Sequence, residues 1–453
     1  MGLKWGFEVK AMQRTLALVI ALAAAPVWAQ YGPTPAPKDT TCPTNDMTAD
    51  GHGKDGFPSL TNPKVVSVDE GNGFLSSSAL VLGVVVNGEA RAYPHNVLWY
   101  HEIVNDVLGG KPIVVTYSPL TGSGIVFSAD VGGSSLSFGS SGEVIDSNLV
   151  AYDRTTESFW SQMNRRASCG KLVGKSLTML PVVDATWAAW RSLHPDTSVV
   201  SFDTGFSRNY NQYPYGSYDQ VGNTQLLYPQ SFIDSRLPEK QPVLGLVEGS
   251  LARAYPYSKL GSRAAINDVV NGIPVLVVFD AASKMALPFD RRVQGQTLTF
   301  DAQSSGFPFE LRDRETQTVW DLTGRAVSGP LSASSLKPLA TYSAMWFAWA
   351  SFYRGTDVYG TSAAGPDVVI TIQGMEGGRS FSPAPASLKV GQTVAWRNAD
   401  SIAHTASADN GSFDTGIVAP GATSAPVKLT SAGTFAYHCN IHPSMIGSIN
   451  VTQ

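Results

Sequence analysis

"YHCNIHPSM", residues 437–445, places two imidazoles, a thiol and a thioether within one short stretch. In the run "GTFAYHC" (433–439), Phe435, Tyr437 and Cys439 fall on one face and His438 on the other, because successive side chains of a strand point to opposite sides. His438 is therefore expected to face solvent, leaving Cys439, His442 and Met445 as donors. A fourth donor must come from elsewhere, and "NADSIAHT" (398–405) offers His404. Two imidazoles and a thiolate in a plane, with a weak axial thioether, form a blue-copper electron-transfer set. Structural zinc takes four strong donors and has no use for methionine. A buried cysteine without any metal is the remaining alternative. The donor types favour one type 1 copper.

Outward from this stretch, the tail alternates throughout. "VVITIQG" (368–374), "SLKVGQTVAWRN" (387–398), "SAPVKLT" (424–430) and "IGSINVTQ" (446–453) read as strands separated by Gly, Pro and Asp. Strands at this spacing indicate a small β-sandwich over 367–453. The pieces "VGQTVAWRNADSIAHT", "FDTG", "PG" and "GTFAYHCNIHPSMIGSINV" resemble the cupredoxins of the amicyanin and plastocyanin type. The resemblance implies a Greek-key sandwich whose metal ligands are His404, Cys439, His442 and Met445. It implies that Asn398 ties the two ligand loops together from behind, as outer hydrogen bonds commonly orient metal ligands. It also implies that His442 is the electron port, ringed by Ile441, Pro443 and Ile446, where a redox partner docks.

The rest of the chain is larger. A protein of 453 residues exceeds one ordinary core, so several domains are expected. With 43% hydrophobic and 15% charged residues it is globular, and its 43 glycines and 28 prolines favour strands and turns. A formal charge of -4 gives no reason to expect nucleic acid.

"MQRTLALVIALAAAPVWAQ" (12–30) has a basic start, an apolar run and small residues before a cut, which is a secretory signal over 1–29. No later stretch is apolar over the roughly 20 residues a membrane span requires. A periplasmic or secreted protein is expected. The chain has three cysteines. Pairing Cys42 with Cys169 in an oxidising compartment leaves Cys439 for the metal.

Residues 30–54 read as a flexible lead-in and 359–366, around "GTSAAGPD", as a linker. Between them four markers recur in order. "VLGVVVNGEARAYP" (81–94) returns as "VLGLVEGSLARAYP" (243–256), and "IVNDVLGGKPIVV" (103–115) as "AINDVVNGIPVLVV" (265–278). "DRTTESFW" (153–160) returns as "DRETQTVW" (313–320), and "TWAAW" (186–190) as "MWFAW" (345–349). A duplicated β-rich, α+β block follows, with a first unit at 55–235 and a second at 236–358. Short helices are expected at "NVLWYHEIVND" (96–106) and "ATWAAWRSLH" (185–194), where apolar residues recur at three and four. The whole chain is thus mainly β.

The block's signatures, among them "NGEARAYP", "HEIVND", "TYSPLTGSGIVF" and "SNLVAYDRTTESFWSQ", resemble the domain of unknown function 3179 family. That resemblance implies no activity. The differences between the units do single out residues: His101 and Glu102 become Arg263 and Ala264, "TYSPLTGS" becomes "VFDAASKM", and "WSQ" becomes "WDL". His101, Glu102, Tyr117, Ser118, Thr121 and Gln162 are thereby candidates for a catalytic site. The family typically has cysteine at Ser118, and serine lacks the easily formed thiolate. Residues common to both units, such as Arg91, Asn105, Asp106 and Asp153, are expected to be structural. No His-x-His pair exists, so a trinuclear copper cluster is excluded; of the block's histidines His52, His95, His101 and His194, His95 and His101 are the pair for a mononuclear second copper. The leading expectation is an electron carrier. The alternatives are copper capture or sensing without turnover, and an enzyme centred on His101 and Glu102 that the cupredoxin feeds with electrons.

Overall fold

A computed structural model describes residues 1–2, 42, 46–249, 251–303, 306–360 and 366–453. The expected signal segment beyond Gly2, much of the lead-in and most of the linker lie outside these. The described chain is mainly β, organised as a series of small sheets with short helices between them.

In the 55–235 region, the strand Leu80–Val86 turns at Asn87-Gly88 and pairs antiparallel with Glu89–Pro94. Both turn residues have positive φ, 50° and 85°, which suits the primed turns that match strand twist. Val182–Thr186 flanks this hairpin on one side and Ser198–Val200 runs parallel to it on the other. A meander follows: Ile103–Leu108, Lys111–Ser118 and Ser123–Ser128. The helix expected over 96–106 is shorter than its apolar spacing suggests. It spans His95–His101 and stops because Glu102 takes φ 53°, sending Ile103 onward into the sheet. The other helix is present as Trp187–Leu193, with Thr186 capping it through the Ala189 amide.

In the 236–358 region the same pieces recur at the offset positions. Pro242–Glu248 pairs with Leu251–Pro256, and Arg263–Val270, Ile273–Asp280 and Met285–Asp290 form the meander. The residues common to both regions occupy equivalent structural sites. Arg91 meets Asp106 at 2.6 Å, as Arg253 meets Asp268 at 2.6 Å. Tyr93 and Tyr255 each donate to the same carboxylates. Asn105 clamps the backbone of Phe138, and Asn267 that of Phe300. The buried carboxylates of Asp153 and Asp313 accept from Trp160 and Trp320. Each of these groups is buried or half-buried and partnered, which is the condition for keeping polar atoms out of water.

The described part of the lead-in is anchored, contrary to the expected flexibility. Cys42 is bonded to Cys169 with Cα atoms 5.7 Å apart, Met47 is buried, and Thr48–Ala49 pairs with Glu143 and Val144. Apolar burial and edge pairing together fix a segment whose composition alone looks unstructured.

Residues 366–453 form two four-stranded sheets. One contains Phe381–Ser382, Val368–Ile372, Thr393–Asn398 and Val427–Lys428; the other Ala386–Lys389, Ile446–Thr452, Gly433–His438 and Ser407–Ala408. Ile370, Trp396, Phe435, Tyr437, Ile449 and Val451 fill the space between them.

The two repeated glycines test whether the regions are packed alike. A Cβ at Gly83 would collide with the Trp190 ring, and one at Gly245 with the Trp349 ring. Gly83→Ala and Gly245→Ala should each cost about 1–3 kcal/mol in denaturant unfolding. A neutral effect at either would contradict the shared packing.

Candidate metal centre

The strand Gly433–His438 delivers Cys439 inward, as alternation requires: Phe435, Tyr437 and Cys439 are buried, whereas the His438 side chain is 36% exposed and bonds Asp409 at 2.7 Å. Beyond Cys439 the chain closes a tight loop. The Cys439 amide donates to the Met445 carbonyl, and the Met445 amide to the His442 carbonyl. Met445 is thereby held in the core under the loop, with no exposure. His404 enters from the opposite side, fixed by two backbone bonds to Val418.

Cys439 Sγ lies 3.9 Å from His404 Nδ1 and 3.9 Å from His442 Nδ1, and the two nitrogens are 3.2 Å apart. A triangle with these sides has a centre about 2.1 Å from every corner, against the ~2.0–2.3 Å of ordinary metal–nitrogen and metal–sulfur bonds. The donors are therefore spaced so that a single ion could reach all three at ordinary bond lengths. Among the described residues this is the one group of three or more His, Cys, Asp or Glu ligand atoms so gathered.

The electrostatics suit a metal. Burial pushes the Cys439 thiol up, but hydrogen bonds, the Thr405 amide's foremost among them and the His442 and Ile441 amides' after it, outweigh it and bring the pKa down to about 6. The thiolate, the ligand form, is thus favoured at neutral pH. His404 Nε2 meets the Asp400 carboxylate at 2.8 Å. A carboxylate only accepts, so Nε2 carries the proton and Nδ1 turns its lone pair inward. The bond in turn holds the Asp400 carboxyl below its usual range.

Two outer residues escaped the sequence reading, and one expected role changes. Asn398 donates to the Ile402 and Val418 carbonyls and accepts from the Asp400 amide. It shapes the His404 loop and does not tie that loop to the cysteine. Thr405 makes that tie: its amide donates to Cys439 Sγ at 3.2 Å, and its hydroxyl accepts from the Asn440 amide at 2.7 Å. The Asp-x-x-x-His spacing of 400 to 404 was a readable signal for Asp400; nothing local marks Thr405.

The catalytic candidates of the block fall into separate environments. His101 is fully buried, with Nδ1 on the Pro58 carbonyl and Nε2 on the Tyr210 hydroxyl. Tyr117 packs on His95, whose Nε2 faces Asp184 at 3.3 Å. His95 and His101 thus point to different partners and make no second copper pair. Gln162 and Thr121 join Ser123 and Asn148 in a buried network that occupies their polar atoms, so they serve the core. Glu102 and Ser118 are buried, and none of the candidates lines the crevice bounded by residues 59–64 and 201–206 or the one bounded by residues 215–227.

Two expectations follow from these contacts. Asp400→Asn should weaken metal affinity about 10–100-fold, the usual effect of losing an outer-shell partner, in a competitive chelator titration; an unchanged affinity would show the carboxylate to be idle. Burial, with Asp50 nearby, raises the Glu102 carboxyl well above its ordinary range. Its unfolded form ionises first as pH rises, so the native state binds more protons and loses stability with rising pH. Glu102→Gln should therefore gain relative stability between about pH 5 and pH 8 in parallel urea titrations, and a constant difference would refute this.

No curated protein matches the chain. Among solved structures, a mutant of amicyanin in the Cu(I) form is 26% identical, covering 18% of this chain and 80% of that one, with a TM-score of 0.17. A purple cupredoxin from Nitrosopumilus maritimus is 27% identical, covering 19% and 100%, with a TM-score of 0.18. The model of the family described as "Protein of unknown function (DUF3179)" matches residues 54–356, about two thirds of the sequence. The chain belongs to the DUF3179 family.

Proposed function

We propose that the protein is an exported one-electron carrier whose C-terminal sandwich would hold a single copper through Cys439, His404 and His442, with the Met445 thioether as a weaker further donor. The observation that carries this reading is the donor triangle, whose centre lies within ordinary bond length of all three donor atoms. A thioether beside three strong donors favours copper over zinc, which seeks a fourth strong ligand. A bound copper would supply one-electron exchange between its two common oxidation states.

The residues of the chain do the rest. Asp400 and Asn398 keep the His404 loop rigid, and Thr405 keeps the sulfur in register with it, so that the donors need not rearrange when the charge changes. Burial of Cys439, His404 and Met445 excludes water. His442 is half-buried, and Ile402, Ile417, Ile441 and Ile446, next to the ligand loops, are exposed. Such an apolar rim suits brief docking of a redox protein. Export is supported by the signal-like start and by the disulfide between Cys42 and Cys169, since such bonds persist in oxidising compartments. No helix among the described residues is long and apolar enough to cross a membrane.

Adding copper(II) to the purified protein should produce an intense visible band from thiolate–copper bonding. Cys439→Ser should abolish the band and His438→Ala should keep it. A colourless complex would exclude the electron-carrier reading.

A further inference from the structure

A crevice of about 380 Å³ lies between residues 59–64 and 201–206, walled by Ser59, Thr61, Asn62, Ser201, Thr204 and Phe206 among others. It shares no residue with the metal centre. The Lys64–Asp203 pair, 2.7 Å apart, spans the same two segments. Behind Thr204 runs a chain of short hydrogen bonds. Thr204 Oγ1 is 2.6 Å from the Tyr210 hydroxyl, which is 2.6 Å from His101 Nε2, while His101 Nδ1 is 2.7 Å from the Pro58 carbonyl.

The direction of every proton in this chain is determined. A carbonyl only accepts, so His101 Nδ1 carries hydrogen. Burial holds the ring below its usual basicity, so it is neutral at neutral pH and Nε2 is bare. Tyr210 must then donate to Nε2, and its oxygen accepts the Thr204 proton. Thr204 Oγ1 also accepts the Phe206 amide at 3.2 Å, which leaves one lone pair on a half-buried hydroxyl that lines the crevice. Nucleophile, base and orienting group within hydrogen-bond reach are the general form of an activated hydroxyl. The relay is particular to the first region. Arg263, at the position equivalent to His101, pairs with Asp280 instead.

We infer that the crevice is a nucleophilic site for activated esters, with Thr204 as the attacking group and His101 taking its proton through Tyr210. A bond forms between Thr204 Oγ1 and the acyl carbon, and the ester carbon–oxygen bond breaks. The Thr204 proton passes to the Tyr210 oxygen as the Tyr210 proton passes to His101 Nε2. The imidazolium returns its proton along the same path to the departing alkoxide, and water then releases the acid from Thr204.

A fluorophosphonate tests the step on the full-length protein, since attack by the hydroxyl expels fluoride and leaves a stable adduct that peptide mass mapping can locate. The peptide containing Thr204 should be labelled in the parent and in Thr204→Ser, and unlabelled in Thr204→Val. Tyr210→Phe should slow labelling about a hundred-fold, with near-ultraviolet circular dichroism showing an intact fold. No adduct on that peptide in parent or Thr204→Ser, or a rate that Tyr210→Phe leaves unchanged, would overturn the assignment.

Discussion

A thiolate buried without exposure is an expensive object, and the C-terminal sandwich is arranged around supporting one. An isolated buried charge is neutralised by taking up a proton unless donors surround it. Cys439 has the Thr405 amide as a donor at 3.2 Å, and a cation shared with the two imidazole nitrogens 3.9 Å away would offset the remaining charge. The loop that closes from Cys439 to Met445 and the strand that delivers Cys439 exist in register because their backbone bonds and the Phe435–Tyr437 packing agree. The site is therefore part of the core of the sandwich. Its ligands are held by the same contacts that hold the sheets.

The larger block is stabilised differently. Its two regions depend on paired polar anchors, repeated at equivalent positions: an arginine–aspartate–tyrosine cluster, an asparagine clamp and a tryptophan–aspartate bond. Removing one partner of such a buried set leaves the other unsatisfied, at about 1–3 kcal/mol. That explains why these residues recur while their neighbours drift. His101, which differs from its counterpart Arg263, bonds Tyr210 and through it Thr204 in the stretch after 200.

Local pattern carried much of this. Alternation along 433–439 separated Cys439 from His438, and the donor types led to His404 before any fold was known. The recurring markers located the equivalent anchors. What local pattern could not supply were contacts made at long range. Thr405 reaches Cys439 across 34 positions, and Tyr210 reaches His101 across 109, with no periodicity to announce either. The helix over 96–106 was overextended because apolar spacing at three and four also fits a helix running into a strand; the positive φ of Glu102 decided the matter. His101 and Gln162 stood out by differing between the regions, yet the difference marks a relay in one case and a core network in the other. The family resemblance assigns the tie between the two ligand loops to Asn398, but Asn398 bonds within the His404 loop and its Val418 neighbour, and Thr405 makes the tie to the cysteine.

The central proposal is that His404, Cys439 and His442 would together hold one copper. X-ray absorption of the copper-loaded full-length protein tests it most directly. The account predicts a first shell of two imidazole nitrogens and one short thiolate sulfur, with any thioether sulfur more distant. A shell made only of nitrogen and oxygen, with no short sulfur, would contradict it.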